Sequence, residues 1–175
     1  VSQETPLARM YTSARTRRRA DGPDEVQHMV VGRNEVRQYR EMPVDPSTGF
    51  LVKEVKPNVY VVTDGIYQSA FVTSGKGVVL FDAPPSFADK LPAAVAEVTK
   101  EPITQIVYSH AHLDHIAGAA GLKAKIPGLQ ILAEEETARF LREKKDPRRP
   151  LPTRTFKDQT TLRLGMMTVE LKKGR

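Results

Sequence analysis

The chain has 175 residues, a formal net charge of +6 and no cysteine. That length supports one buried core, and apolar and charged contents of 39% and 27% describe an ordinary soluble protein. The missing cysteines exclude disulfides, thiolate metal sites and a cysteine nucleophile, and no apolar run is long enough to span a bilayer.

Residues 1–11 carry neither the basic start nor the apolar stretch of a secretory signal, which fits a cytoplasmic chain or the mature form of an exported one. Residues 1–42 are polar and Arg-rich without sustained periodicity. They are expected to form an extension, with a short helix near 24–40 and a surface histidine at His28. Pro43 and Pro46-Ser47-Thr48-Gly49 mark a turn, after which residues 43–175 read as one domain.

Four short β-branched or aromatic runs follow, at 50–55, 59–63, 68–73 and 78–81. Pro57-Asn58, Asp64-Gly65 and Gly75-Lys76-Gly77 separate them, the punctuation of an antiparallel meander. Gly75-Lys76-Gly77 lacks the spacing of a phosphate loop and is expected to be a hairpin turn. The period then changes. Leu91, Val95 and Val98 recur at helical spacing, with Pro92 suited to a helix start, so a helix is expected over 87–100.

A strand is expected at 103–108, a helix at 115–125, a strand at 129–133 and a helix at 134–145. Glu134, Glu135 and Glu136 open the last of these, and Arg142, Lys144 and Lys145 close it, each sign at the macrodipole end that favours it. A Pro/Arg loop over 147–152 leads to two final strands, at 161–164 and 167–171, with Gly165 between them and Met166-Met167 expected as core filler. A meander followed by βαβα units is a mixed α/β sheet with helices on its faces.

Between the expected strand and helix lies Ser109-His110-Ala111-His112-Leu113-Asp114-His115, which holds three of the four histidines. Packing does not require imidazoles that dense; a metal ion does. On extended backbone His110 and His112 leave on the same side and can grip one ion together. Asp114 and His115, where the strand turns into the helix, can serve a second position. Nitrogen and carboxylate donors suit Zn²⁺, with Fe or Mn as alternatives. A metal pair would lower the pKa of a shared water and polarise a carbonyl or phosphoryl oxygen. Asp114 is the candidate catalytic residue, both binding metal and orienting the hydroxide. Gly118 and Gly121 would let the following helix pack close beneath the site. Ser69 and Ser109 lack the strand–turn–helix setting of a nucleophile and are read as plain polar residues.

The motif, followed by Gly118, resembles the His-x-His-x-Asp-His signature of the metallo-β-lactamase superfamily. The strand ending in Phe81-Asp82-Ala83 is similar to that family's strand with an aspartate at its tip. The resemblance covers residues 50–172 and implies the N-terminal part of an αββα sandwich, two zinc ions in the complete site, and Asp82 bracing the metal loop from behind its ligands. It also implies hydrolysis of an ester, thioester, lactone, β-lactam or phosphodiester by a metal-bound hydroxide. Full members add a third histidine, a bridging carboxylate and a last histidine further along. Here no histidine follows His115, Asp146 and Asp158 lie in or beside the Pro/Arg loop, and 169–174 resembles the strand that leads to the third histidine. The chain is therefore expected to be an N-terminal portion, to bind zinc weakly and to leave one sheet face uncovered.

The basic residues are bunched at Arg15, Arg17, Arg18 and Arg19 and again from Arg139 to Arg154, without the aromatics that stack nucleobases. A solvated tail and a solvated helix face are the expected reading, with a small-molecule substrate rather than nucleic acid. Two competitors stand beside the hydrolase: a nucleic-acid-processing member of the same family, favoured by charge alone, and a non-catalytic remnant or binding module with an incomplete metal site.

Overall fold

A computed structural model describes residues 43–174. The expected arm, its short helix and His28 lie outside the described residues.

Four antiparallel strands come first: β1 (Leu51–Lys56), β2 (Val59–Thr63), β3 (Gln68–Thr73) and β4 (Val78–Phe81). A 3₁₀ turn at Ala88–Lys90 runs into helix α1 (Leu91–Ala96), with Pro92 in its first turn, where a missing N–H costs nothing. Strand β5 (Ile103–Val107) lies parallel to β4. Two short helices, α2 (Leu113–Ile116) and α3 (Ala119–Lys125), lead to β6 (Gln130–Glu134). Helix α4 (Glu135–Lys144) follows, then β7 (Arg154–Phe156), which extends the parallel part of the sheet. The seven strands lie in chain order, β1 to β7. A separate hairpin, β8 (Gln159–Leu164) with β9 (Met167–Lys172), completes the described chain.

Alternation along the strands decides what each face buries. Val62, Phe71, Val78, Leu80, Ile106 and Ile131 turn to one side and pack with Leu91, Val95, Ile116, Leu122 and Leu141 from the helical layer. Val79, Val107 and Leu132 turn to the other side and pack against Leu162, with Phe156, Leu164, Val169 and Leu171 around them. The β8–β9 hairpin thus starts a second sheet over the first. The expectation of an uncovered face is corrected over this part of the sheet.

Other differences have local causes. The helix expected over 87–100 is regular only over Leu91–Ala96. The one expected over 115–125 is interrupted at Ala117-Gly118, where Gly118 N–H donates to the Ala83 carbonyl at 2.9 Å instead of continuing the ladder. Strand β7 was not expected. It is three residues long and owes its form to pairing with β6. Met166 is not core: it is 91% exposed at the two-residue turn beside Gly165, whose φ of 53° suits that hairpin, while its N–H donates to the Ser74 carbonyl. Met167 is half-buried.

Gly118 is required by close approach, and Gly121 is not. A Cβ on Gly118 would lie 2.1 Å from Ala88 Cβ and 2.8 Å from the Ala83 carbonyl oxygen, whereas one on Gly121 would meet nothing within 4 Å. Gly118→Ala must push the α2–α3 segment off the β4–α1 loop, and overpacking of this kind costs about 1–3 kcal/mol. Urea unfolding should show that loss for Gly118→Ala and almost none for Gly121→Ala. Equal midpoints would contradict the packing described.

Candidate metal centre

In parallel βαβ units the chain leaves each strand at the same edge of the sheet, and that edge collects side chains for chemistry. Here the carboxyl ends of β4 and β5 deliver Asp82 and the segment Ser109-His110 to neighbouring places. His112 is extended and starts α2, whose first turn carries Asp114 and whose last carries His115.

Asp82 is the buried centre of the arrangement. It is 7% exposed and adopts φ = 64°, a left-handed conformation that aspartate tolerates better than most residues. Its Oδ1 accepts the Ser109 backbone N–H at 2.8 Å. Its Oδ2 accepts the Ser109 hydroxyl at 2.5 Å and faces His115 Nδ1 at 3.2 Å. Ser109 Oγ also lies 2.7 Å from His110 Nδ1.

The proton positions follow from what each group can donate. A carboxylate only accepts and a hydroxyl carries one proton. The Ser109 proton therefore goes to Asp82, and His110 Nδ1–H must donate to Ser109 Oγ. His115 Nδ1–H likewise donates to Asp82. In its neutral form each imidazole is then the tautomer that leaves Nε2 with its lone pair free. Burial, reinforced by the neighbouring His115, holds His110 below the usual histidine range against the pull of Asp82. The hydrogen bond to Asp82 moves His115 the other way, outweighing its burial.

The rings gather closely. His110 and His115 centroids are 4.2 Å apart, and His110 and His112 meet edge to face at 4.7 Å. His110 and His112 therefore do leave on one side. His115 Nε2 lies 3.8 Å from Asp114 Oδ2. Donor atoms of Asp82, His110 and His115 all lie within 4.8 Å of one another, while His112 and Asp114 sit exposed at the rim. Imidazole nitrogens with carboxylate oxygens and no sulfur suit a borderline divalent cation, and with Nδ1 engaged by Ser109 and Asp82, Nε2 is the nitrogen that His110 and His115 have left to offer one.

The remaining candidates are accounted for elsewhere. Ser69 Oγ donates to the Phe81 carbonyl at 2.9 Å and is structural. Asp146 Oδ1 and Oδ2 accept Arg148 Nε and Nη2 at 3.1 and 3.0 Å. Asp158 lies in the bend between β7 and β8, where its backbone carbonyl, not its carboxylate, accepts the Lys173 N–H. Gly75 and Gly77 sit in the β3–β4 turn, where their N–H groups and that of Ser74 all donate to Glu101 Oε2.

The roles of two residues, Ser109 (read as plainly polar) and Arg149, were not foreseen from the sequence. Ser109 is the link between Asp82 and His110, and its place directly before the first histidine was the available signal. Arg149, expected to be solvated with the rest of its basic stretch, is buried at 9% exposure, and its Nη1 donates to the Ala111 carbonyl. No local pattern marked it.

Comparison with known proteins bears on the fold and the family. Residues 62–171 match the family model of the metallo-beta-lactamase superfamily. The chain is 29% identical over 105 residues to the alpha subunit of 2,4-dinitroanisole O-demethylase from Nocardioides sp. (strain JS1661), a match covering 58% of this chain and 31% of that protein. A metallo-beta-lactamase from Pontibacter korlensis superposes with a TM-score of 0.59 at 21% identity, over 69% of this chain and 59% of that one. The subclass B3 metallo-beta-lactamase of Bradyrhizobium japonicum gives a TM-score of 0.57 at 25% identity, over 67% of this chain and 49% of that one. The chain thus spans about a third of the curated relative it matches and about half of these solved structures. With the family model matched over more than half its length, and a mixed sheet carrying the His-rich loop at its carboxyl edge, the chain belongs to the metallo-β-lactamase superfamily.

Proposed function

We propose that this chain carries the first metal-binding half of a metal-dependent hydrolase active on an ester, thioester, lactone or β-lactam. The observation that carries the reading is the pair of Nδ1 atoms engaged by the protein, His115 with Asp82 and His110 with Ser109, on rings whose centroids are 4.2 Å apart. His110, His112, Asp114 and His115 are the proposed ligands, and Zn²⁺ the proposed ion, with Fe or Mn accepted by the same donor types. When bound, such an ion supplies a water of lowered pKa and a Lewis acid for the scissile carbonyl.

The chain's own residues do the rest. Asp82 is assigned a bracing role, supported by the hydrogen bonds that its oxygens accept from Ser109 N, Ser109 Oγ and His115 Nδ1. Asp114, exposed with Oδ2 3.8 Å from His115 Nε2, is assigned the role of both binding the ion and orienting the hydroxide. The curated relative is an O-demethylase, so a methyl aryl ether belongs among the probes. A small-molecule substrate is favoured over nucleic acid, since Arg149 in the basic stretch points into the protein.

A catalytic zinc usually takes three protein ligands, and no histidine follows His115. The zinc-loaded chain should therefore show little turnover on ester, lactone, β-lactam or 2,4-dinitroanisole probes. A longer chain with the family's remaining ligands should hydrolyse one of these classes and stop on chelation. Cleavage of RNA or DNA, weakening steeply with salt, would establish the nuclease reading instead; no activity in the longer chain would leave a binding module.

A further inference from the structure

Arg149 lies 38 residues beyond Ala111 and yet reaches it. Its Nη1 donates at 2.5 Å to the Ala111 carbonyl, which belongs to the residue between His110 and His112. Its guanidinium carbon stands 5.9 Å from the centroid of the Phe140 ring in α4, and its Nε lies 3.5 Å from Asp146 Oδ2. One residue on, the Pro150 carbonyl accepts the Tyr108 hydroxyl at 3.1 Å. The Pro/Arg loop is thus stitched to the metal loop at Tyr108 and again at Ala111.

A guanidinium is buried only at a cost, unless it is paired and hydrogen-bonded. Asp146 does not by itself explain the burial, because Arg148 already holds that carboxylate through two hydrogen bonds at the surface. What Arg149 alone provides is a charged donor on the Ala111 carbonyl. The planar fork reaches the carbonyl and Asp146 together from a rigid geometry; a lysine ammonium is a single point on a flexible stem. Holding that carbonyl fixes the peptide plane that joins Ala111 to His112, and so restrains the short backbone stretch from which His110 and His112 both leave.

We propose that Arg149 is a positioning residue for the metal loop, fixing the Ala111 carbonyl so that His110 and His112 are set as a pair before metal arrives. The proposal rests on the reading of the His-rich loop as a metal site. It gives the buried arginine a role that its neighbours Arg148 and Arg154, both exposed, do not share.

The test uses the 175-residue chain with Arg149→Met, Arg149→Lys and, as a control, Arg148→Met. Zinc affinity is measured by competition with a chromophoric chelator, and amide hydrogen exchange over 110–113 is followed in the metal-free chain. Residues that orient metal ligands typically contribute about 10–100-fold in affinity. Arg149→Met should lose that much and exchange faster over 110–113. Arg149→Lys should recover only part of the loss, and Arg148→Met should match the wild type in both readouts. If Arg149→Met does not fold, the Arg149→Lys result decides. Wild-type affinity and exchange in the folded Arg149 variants would overturn the positioning role while leaving the metal site standing. A wild-type chain that takes up no zinc would overturn the metal reading itself, and this proposal with it.

Discussion

Replacing His110 and His112 together with alanine should abolish measurable zinc uptake by the chain while leaving its metal-free stability almost unchanged. Both rings sit at the surface of the loop, His112 exposed and His110 half-buried, and neither belongs to the buried cores on the two faces of the sheet. Their loss removes ligands and almost no packing. Orienting groups behind a metal site commonly contribute about 10–100-fold in affinity, so deleting two proposed ligands should exceed ~100-fold. Metal binding also stabilises the folded state by mass action, by about 2.7 kcal/mol at a hundred times Kd. The thermal shift that zinc produces in the wild-type chain should therefore vanish in the double variant. A variant that keeps its zinc-dependent shift would place the metal elsewhere.

The second large effect is expected at Asp82. Asparagine keeps the left-handed φ of 64° accessible and can still accept the Ser109 N–H at one oxygen. Its amide nitrogen, however, would face the Ser109 hydroxyl and His115 Nδ1, two groups that donate to the carboxylate. A buried site with donors opposed costs about 1–3 kcal/mol, and Asp82→Asn should lose that much in urea unfolding of the metal-free chain. Zinc affinity should fall by about 10–100-fold, as for other groups that orient ligands. The size of the second effect separates two roles. A drop as deep as that of the double histidine variant would make Asp82 a ligand rather than a brace.

Much of this architecture was legible because its signals are local. Strands at 59–63, 68–73 and 78–81 were read at their observed bounds, since Asn58, Gly65 and Gly75, all of positive φ, stop each run abruptly. Glu134 at the start of α4 was legible for a similar reason: its carboxylate accepts from Glu136 N–H at 2.7 Å, a contact two residues long. Features that depend on distant partners were not legible. Strand β7 is a strand because β6 lies beside it, and Gly118 breaks a helix because Ala83 and Ala88 crowd against it. Asp82 was recognised at a strand tip through likeness to a family, but its link through the Ser109 hydroxyl to His110 needed the fold. Arg149 gave no sign at all, because its neighbours in sequence are solvated and its hydrogen-bond acceptor belongs to the metal loop.

Asp82 and Ser109 engage the Nδ1 atoms of His115 and His110, and the Nε2 atoms are the proposed metal donors. Long-range ¹H–¹⁵N correlation of the imidazole rings, recorded on the chain before and after addition of zinc, reads this atom by atom. Nδ1 of His115 and His110 should stay protonated throughout, and both Nε2 resonances should move to values of metal-bound nitrogen. Zinc at Nδ1 of either ring, or imidazole resonances that do not respond to zinc, would contradict it.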